Sequence, residues 1–260
     1  MSKILLTGAS GKLGTHMRHW LAGRGRDFVA TDIRPAGDGG EVIVADLAAR
    51  AAVDALMARD ISAVVHLGAR ATEAPWQTIL DANIVATYNV FEAARQAGIR
   101  RIVYASSYHV VGMYPASELP LGADAEVRPD TLYGVSKAFG EALARLYFDK
   151  FGVECLAIRI CTAGDPATPR EARLWCNRDD LATLIEAGLD AEGLGYRMVY
   201  GISDNPGAPV PVEDGSGLGW RPAHGALELG SPDPREVLDK ADERHRRLGG
   251  AFALWGHPED

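Results

Sequence analysis

Three glycines near the start of the chain constrain it more than any other feature. Gly8-Ala9-Ser10-Gly11-Lys12-Leu13-Gly14 directly follows the apolar run Lys3–Thr7. It opens a helical pattern over residues 12–24, in which Leu13, Met17 and Leu21 share one face. In a GxxGxxG loop between strand and helix each glycine has a physical use. One permits the tight turn, one lets the backbone approach a pyrophosphate, and one lets the helix pack close to the strand. The phosphates then rest on free N–H groups at the positive end of the helix dipole. Gly8, Ser10, Gly11, Lys12, Leu13 and Gly14 are therefore candidate dinucleotide contacts.

The pattern after this loop is an alternation of apolar runs and amphipathic stretches. Strands are predicted at Lys3–Thr7, Phe28–Asp32, 41–45, 63–67, 101–105 and Glu154–Ile160. Helices are predicted at 12–24, 47–58, 76–97 and 132–150. Such alternation, with near-continuous apolar strands, implies an α/β fold: a Rossmann-like doubly wound parallel sheet covered on both faces. Beyond residue 160, prolines at 166, 169, 206, 209, 211 and 222 break the pattern. A helix at 179–188, a strand at 197–202 and a last helix at 234–247 are expected there, with a turn at Gly215-Ser216-Gly217-Leu218-Gly219. The expected organisation is a dinucleotide-binding part at 1–160. Residues 161–260 form a small irregular C-terminal substrate cap of the same single-domain fold.

Composition excludes several classes of function. With 260 residues, 47% of them hydrophobic, the chain can bury a large core. Its 27 basic and 35 acidic residues leave a formal charge of −8, which argues against nucleic acid or an anionic membrane as partner. No stretch approaches the roughly 18 apolar residues of a membrane span, and the apolar run at the N-terminus is too short for a signal peptide. Cys155, Cys161 and Cys176 form no CxxC pair and cluster with no histidine, so neither a disulfide framework nor a metal site is expected. A cytoplasmic protein is the expectation.

The second strand ends in Asp32, where a carboxylate accepts hydrogen bonds from the adenosine ribose hydroxyls and repels a 2′-phosphate. NAD is therefore expected over NADP. Ile33 and Arg34 lie beside it. Asp46-Leu47, after the third strand, lie where an adenine would sit, and Leu67-Gly68-Ala69, after the fourth, let backbone approach the cofactor. Ile160, at the end of the sixth strand, completes this candidate set. Further on, Ser106-Ser107 follow the fifth strand, and Tyr133 and Lys137 stand four apart on one face of a predicted helix. A tyrosine titrates near pH ~10, so it serves as a base at neutral pH only if a nearby cation favours the phenolate. Lys137 is placed to be that cation, and Ser107 to hold the reacting oxygen.

Over roughly residues 3–160 the chain resembles the extended short-chain dehydrogenase/reductase superfamily. The resemblance rests on the loop at 8–14, Asp32, Asp46-Leu47, His66-Leu67-Gly68-Ala69, the segment from Asn83 to Asn89, Ser107 and Tyr133-Gly134-Val135-Ser136-Lys137. It implies a bracing role for Asn83. Within that superfamily, Ala105-Ser106-Ser107-Tyr108-His109-Val110-Val111-Gly112 and Arg128-Pro129-Asp130 before Tyr133 are similar to the uronate dehydrogenases. So are Val199-Tyr200-Gly201-Ile202-Ser203-Asp204-Asn205 and Gly249-Gly250-Ala251-Phe252, which carry the likeness almost to the end. The resemblance implies NAD-dependent oxidation of C1 of an acidic hexose to a lactone. It also implies a catalytic set of Ser107, Tyr133 and Lys137, with Arg170 holding the sugar's anionic group.

The pocket departs from that pattern. Tyr108 stands where the family generally has Asn, Ala71 where it has Ser, Arg70 where it has an apolar residue, and Thr162 where it has Ser. The candidate substrate contacts are Arg70, Ala71, Ser107, Tyr108, His109, Tyr133, Thr162 and Arg170. The acidic hexose is open between a hexuronate, such as galacturonate or glucuronate, and sulfoquinovose, whose C6 bears a sulfonate. Arg173 and Arg178 read as solvated charges, and a homo-oligomer is expected. Two alternatives are a nucleotide-sugar epimerase or dehydratase on the same fold and a non-catalytic NAD sensor. Tyr108-His109 in place of an acidic pair counts against the first, and the intact Tyr133/Lys137 pair against the second.

Overall fold

A computed structural model describes residues 3–212, 217–230, 232–256 and 258, so the expected turn at 215–219 lies partly outside the described residues. Seven strands form one sheet: β1 Lys3–Thr7, β2 Phe28–Asp32, β3 Ile43–Val44, β4 Ile61–His66, β5 Arg101–Ser107, β6 Glu154–Ile160 and β7 Tyr196–Gly201. Their order is β3-β2-β1-β4-β5-β6-β7, with every neighbouring pair parallel. The winding direction reverses between β1 and β4, and ligands of such sheets bind in the crevice at the carboxyl ends of those strands.

The helices are α1 Lys12–Gly23, α2 Arg50–Met57, α3 Trp76–Ile79, α4 Ala86–Gln96, α5 Leu132–Phe151, α6 Pro169–Arg173 and α7 Arg178–Asp190. Successive strand side chains point to opposite faces, so each apolar strand feeds two cores. On one face Leu5, Val64, Ile102 and Cys155 pack against Val53 of α2, Phe91 of α4 and Ala144 of α5. On the other, Leu6, Val65, Val103 and Leu156 pack against Met17 and Leu21 of α1 and Leu181 and Ile185 of α7. The sheet does not stop at residue 160: β7 pairs with β6 from Cys155 to Ile160. No helix of the described residues is long and apolar enough to cross a membrane.

Two predicted elements differ. The helix expected over 76–97 is divided by a π-helical segment, Leu80–Val85, which contains Asn83. Such widened turns concentrate at functional sites. The helix expected over 234–247 does not form; only the 3-10 turn Glu243–His245 is helical there. The reason is local competition for backbone N–H groups. Asp233, Asp239 and Asp242 accept from the N–H of Arg235, Ala241 and Arg244, each two residues on. Asx turns of this kind offer the backbone an alternative to the helix. Arg173 then fastens the segment from outside, donating to the carbonyls of Pro234 and Glu236 at 2.7 and 2.8 Å.

Candidate active site

The first βα turn is shaped by crowding. Gly8 has φ +70°, and a Cβ there would lie 2.7 Å from the Gly68 nitrogen. At Gly14 a Cβ would collide with the Gly8 carbonyl, so α1 can pack on the loop only with glycine at that position. α1 begins with no side-chain cap and no acidic residue in its first turn. Its first N–H groups thus suit an anion. The Asp32 carboxylate accepts from the N–H of Ser10 at 3.0 Å and of Arg34 at 3.2 Å. Ser10 does not line the cleft; its hydroxyl donates to the Arg34 carbonyl at 2.8 Å and so ties the loop to the end of β2.

One cleft of about 1130 Å³ runs from this turn to α6. Apart from Ser10, every candidate cofactor and substrate residue lines it. At the nucleotide end are Gly8, Gly11, Lys12, Leu13, Gly14, Asp32, Ile33, Arg34, Asp46 and Leu47. Midway are Leu67, Gly68, Ala69, Arg70, Ala71, Ser107, Tyr133, Lys137 and Ile160, and at the far end Tyr108, His109, Thr162 and Arg170.

Several elements converge on the middle of the cleft. Ser107 is the last residue of β5, and Tyr133 and Lys137 lie on the first turns of α5. Thr131 caps α5 by accepting from the Gly134 N–H at 3.1 Å. The carboxylate of Glu73 accepts from the N–H groups of Leu132 and Tyr133, at 3.2 and 2.9 Å. Asn83 accepts from the Arg70 N–H at 2.7 Å and donates to the Arg70 carbonyl and the Ser136 hydroxyl. The π segment thereby braces the loop after β4 against α5.

The electrostatics here follow from burial. Burial pushes the Tyr133 phenol up to about 12, while a hydrogen bond from the Ser107 hydroxyl favours the phenolate. Burial draws the Lys137 ammonium down to about 7, and its Nζ donates to the Ala105 carbonyl at 2.7 Å. That nitrogen lies 5.8 Å from the Tyr133 ring centroid. Burial and the Lys137 charge together take His66 to about 3, so it stays neutral between Thr7 and Thr87.

At the far end, Tyr108 and His109 open a 3-10 turn, Tyr108–Val111. Burial raises the Tyr108 phenol to about 12, and its strongest counter-influence is Arg170, to which it is hydrogen-bonded. Arg170 lies on α6 and donates to the Leu248 carbonyl, and a Cβ at Gly250 would collide with its guanidinium. Thr162 bridges in parallel to Trp175. Arg173 and Arg178 are not free solvated charges. The first holds the tail as above, and the second donates to the Ala163 carbonyl at 3.3 Å.

Residues not singled out as site residues from the sequence also shape the cleft. His109 Nδ1 lies 2.7 Å from Asp130 Oδ2, and Phe252 stacks on the His109 ring at 4.1 Å between centroids. Asp239, Arg244 and His245 of the tail complete the wall. The Arg128-Pro129-Asp130 segment was the one available signal for Asp130. Nothing in the sequence pointed from Glu73 to the start of α5, a separation of 59 residues to Leu132.

Comparison with known proteins agrees with this geometry. The uronate dehydrogenase of Agrobacterium fabrum is 44% identical over 251 residues, with 92% of this chain and 94% of the relative covered. The solved structure of glucuronic acid dehydrogenase from Chromohalobacter salexigens has a TM-score of 0.91 at 36% identity, covering 100% of this chain and 99% of that one. A mutant uronate dehydrogenase from Agrobacterium tumefaciens, complexed with NAD, has a TM-score of 0.89 at 40% identity, with 98% of each chain covered. Residues 4–174 match the NAD dependent epimerase/dehydratase family, and with that match over most of its length the chain belongs to that family.

Proposed function

We propose that this protein is an NAD-dependent sugar 1-dehydrogenase that oxidises C1 of an acidic hexose to the lactone. The observation that carries the reading is a single cleft joining Asp32, the Ser107/Tyr133/Lys137 set and Arg170. The residues fit a dinucleotide: the glycine turn excludes side chains, the start of α1 is uncapped, and Asp32 is pinned at the adenosine end. Gly8, Gly11, Lys12, Leu13 and Gly14 would hold the pyrophosphate, Asp32 the adenosine ribose, and Lys137 with Tyr133 the nicotinamide ribose. NAD supplies the hydride acceptor when bound.

Tyr133 takes the proton of the C1 hydroxyl as general base. Ser107 donates a hydrogen bond to the same oxygen and holds it in place. Lys137 favours the phenolate while it carries its charge. Arg170 offers a planar fork of donors to a carboxylate or a sulfonate. His109 meets sugar hydroxyls, and Arg70 stands on the cleft wall as a second cation. The substrate class is a hexuronate such as galacturonate or glucuronate, or a hexose sulfonated at C6. Uronate dehydrogenases as relatives and Arg170 in the pocket support the anionic class.

NADH formation with galacturonate, glucuronate, sulfoquinovose, glucose and galactose tests the reading. A sugar acid should be the best substrate. A lack of NADH from every acid, or a neutral hexose as the better substrate, would overturn it. In the same assay NAD should outperform NADP by at least about tenfold in kcat/KM, because Asp32 opposes a 2′-phosphate. A higher kcat/KM with NADP would mean that Arg34 governs the adenosine end.

A further inference from the structure

Asp130 is a buried carboxylate that the mechanism above does not use. Its side chain is 0% exposed, and among the described residues it pairs with a histidine and with no lysine or arginine. It sits in a slot between two glycines of distant segments. A Cβ at Gly112, after the Tyr108–Val111 turn, or at Gly249, in the tail, would collide with Asp130 Oδ2. Its other oxygen accepts from the Thr131 hydroxyl at 2.9 Å, and its own N–H reaches the His109 carbonyl at 3.4 Å. The carboxylate is therefore fixed in rotation as well as in place. Burying it is costly unless its partners are worth keeping there.

The partner on Oδ2 is His109 Nδ1, at 2.7 Å. A carboxylate only accepts, so the proton between them belongs to Nδ1. The ring plane is fixed too, by Phe252 stacked at 4.1 Å and Tyr108 at 4.2 Å between centroids. Nε2 has no hydrogen-bond partner among the described residues, yet it is not one of their buried unpaired polar atoms. It is thus not completely sealed, and His109 lines the cleft beside Tyr133, whose ring lies 5.9 Å away.

We infer that Asp130 is a positioning residue that holds neutral His109 as the Nδ1–H tautomer, so that Nε2 faces the substrate end as a hydrogen-bond acceptor for one ring hydroxyl of the sugar. The inference rests on the sugar-dehydrogenase reading and adds to it the direction of one hydrogen bond. A hydroxyl can donate to Nε2, whereas a ketone, an ether or a missing hydroxyl cannot. Such a contact discriminates between sugars, because a substrate without that donor leaves the acceptor unpaired.

The test uses Asp130→Asn, which is nearly isosteric. Thr131 retains an oxygen to donate to, and the amide nitrogen turns to His109. That nitrogen donates to Nδ1, moves the ring proton to Nε2, and replaces the acceptor in the cleft by a donor. In nitrogen-15 spectra at about pH 8, wild-type His109 should be protonated at Nδ1 and bare at Nε2, with the reverse in D130N. D130N should lose about tenfold or more in kcat/KM for the sugar acid, mainly through KM, with NAD affinity unchanged. Among sugar acids lacking one ring hydroxyl each, one should be oxidised equally well by both proteins.

A wild-type spectrum with the proton on Nε2, or with His109 doubly protonated, would overturn the inference. So would wild-type kcat/KM in D130N, or an equal loss on every deoxy sugar. The wild-type spectrum needs no variant and no turnover. It therefore decides the tautomer even if D130N does not fold, and separately from any failure to oxidise sugar acids.

Discussion

Tyr133→Phe should leave a folded protein that still binds NAD and oxidises its sugar about 10²–10⁴-fold more slowly. The ring packs with Ala74 and Ile79, partly against Leu132 and Phe252, and phenylalanine keeps those contacts. What disappears is the hydroxyl that Ser107 bonds and that burial holds near 12. Loss confined to kcat at unchanged NAD affinity is the signature of a group acting in the transition state. Near-wild-type turnover of a folded variant would mean that another group is the base.

The same phenol sets the pH dependence. A base works deprotonated, and a raised pKa means that the phenolate population grows as pH rises. Activity should therefore climb between about pH 6 and 9. Lys137, drawn down to about 7, loses charge over the lower part of that range and then helps the phenolate less. The climb should be shallower than for an isolated phenol. In Lys137→Met, with no cation at any pH, activity should fall most in the lower part of that range, where the wild-type lysine is still charged, and the climb should steepen. A flat profile in the wild type, or an unchanged one in the variant, would remove this pair from the proton-transfer step.

The nucleotide half of the site was legible because its requirements are local. Glycine at position 8, where a side chain would strike the backbone at Gly68, and at position 14, where one would strike the Gly8 carbonyl, is dictated within a few residues of a strand end. Tyr133 and Lys137 share a face by helical geometry alone. Asn83 was visible as a residue, but the π segment around it was not. That widening accompanies contacts to Arg70 and Ser136, 13 and 53 residues away in sequence. The tail failed for the opposite reason. Its apolar spacing suggests a helix, yet three aspartates compete for its backbone and Arg173 pins it from α6. Asp130 and Phe252 come together with His109 only once the tail has folded back, with Gly249 N–H donating to the Gly112 carbonyl at 2.8 Å. No window of sequence contains that contact.

The folded tail also changes what Arg170 is expected to do. Read from sequence it was a clamp for the sugar's anionic group; in the structure it additionally donates to Leu248 and is hydrogen-bonded to Tyr108. A guanidinium has five N–H donors, so these partners leave donors for a carboxylate or sulfonate. Arg170→Ala should therefore cost about 1.5–3 kcal/mol in transition-state binding of the acid, roughly ten- to hundredfold in kcat/KM. Losing the tail contact alone would lower turnover of acidic and neutral sugars alike. The discriminating quantity is therefore the ratio of kcat/KM for a sugar acid to that for its neutral hexose. That ratio should fall by most of the full effect. Arg170→Lys should restore only part of it, because an ammonium lacks the fork that meets two oxygens at once. Thermal melting and NAD affinity, measured alongside, report whether the tail has come loose. If the ratio is unchanged while both sugars slow equally, Arg170 is a tail anchor, and the anion is bound elsewhere on the cleft wall, with Arg70 the next residue to replace.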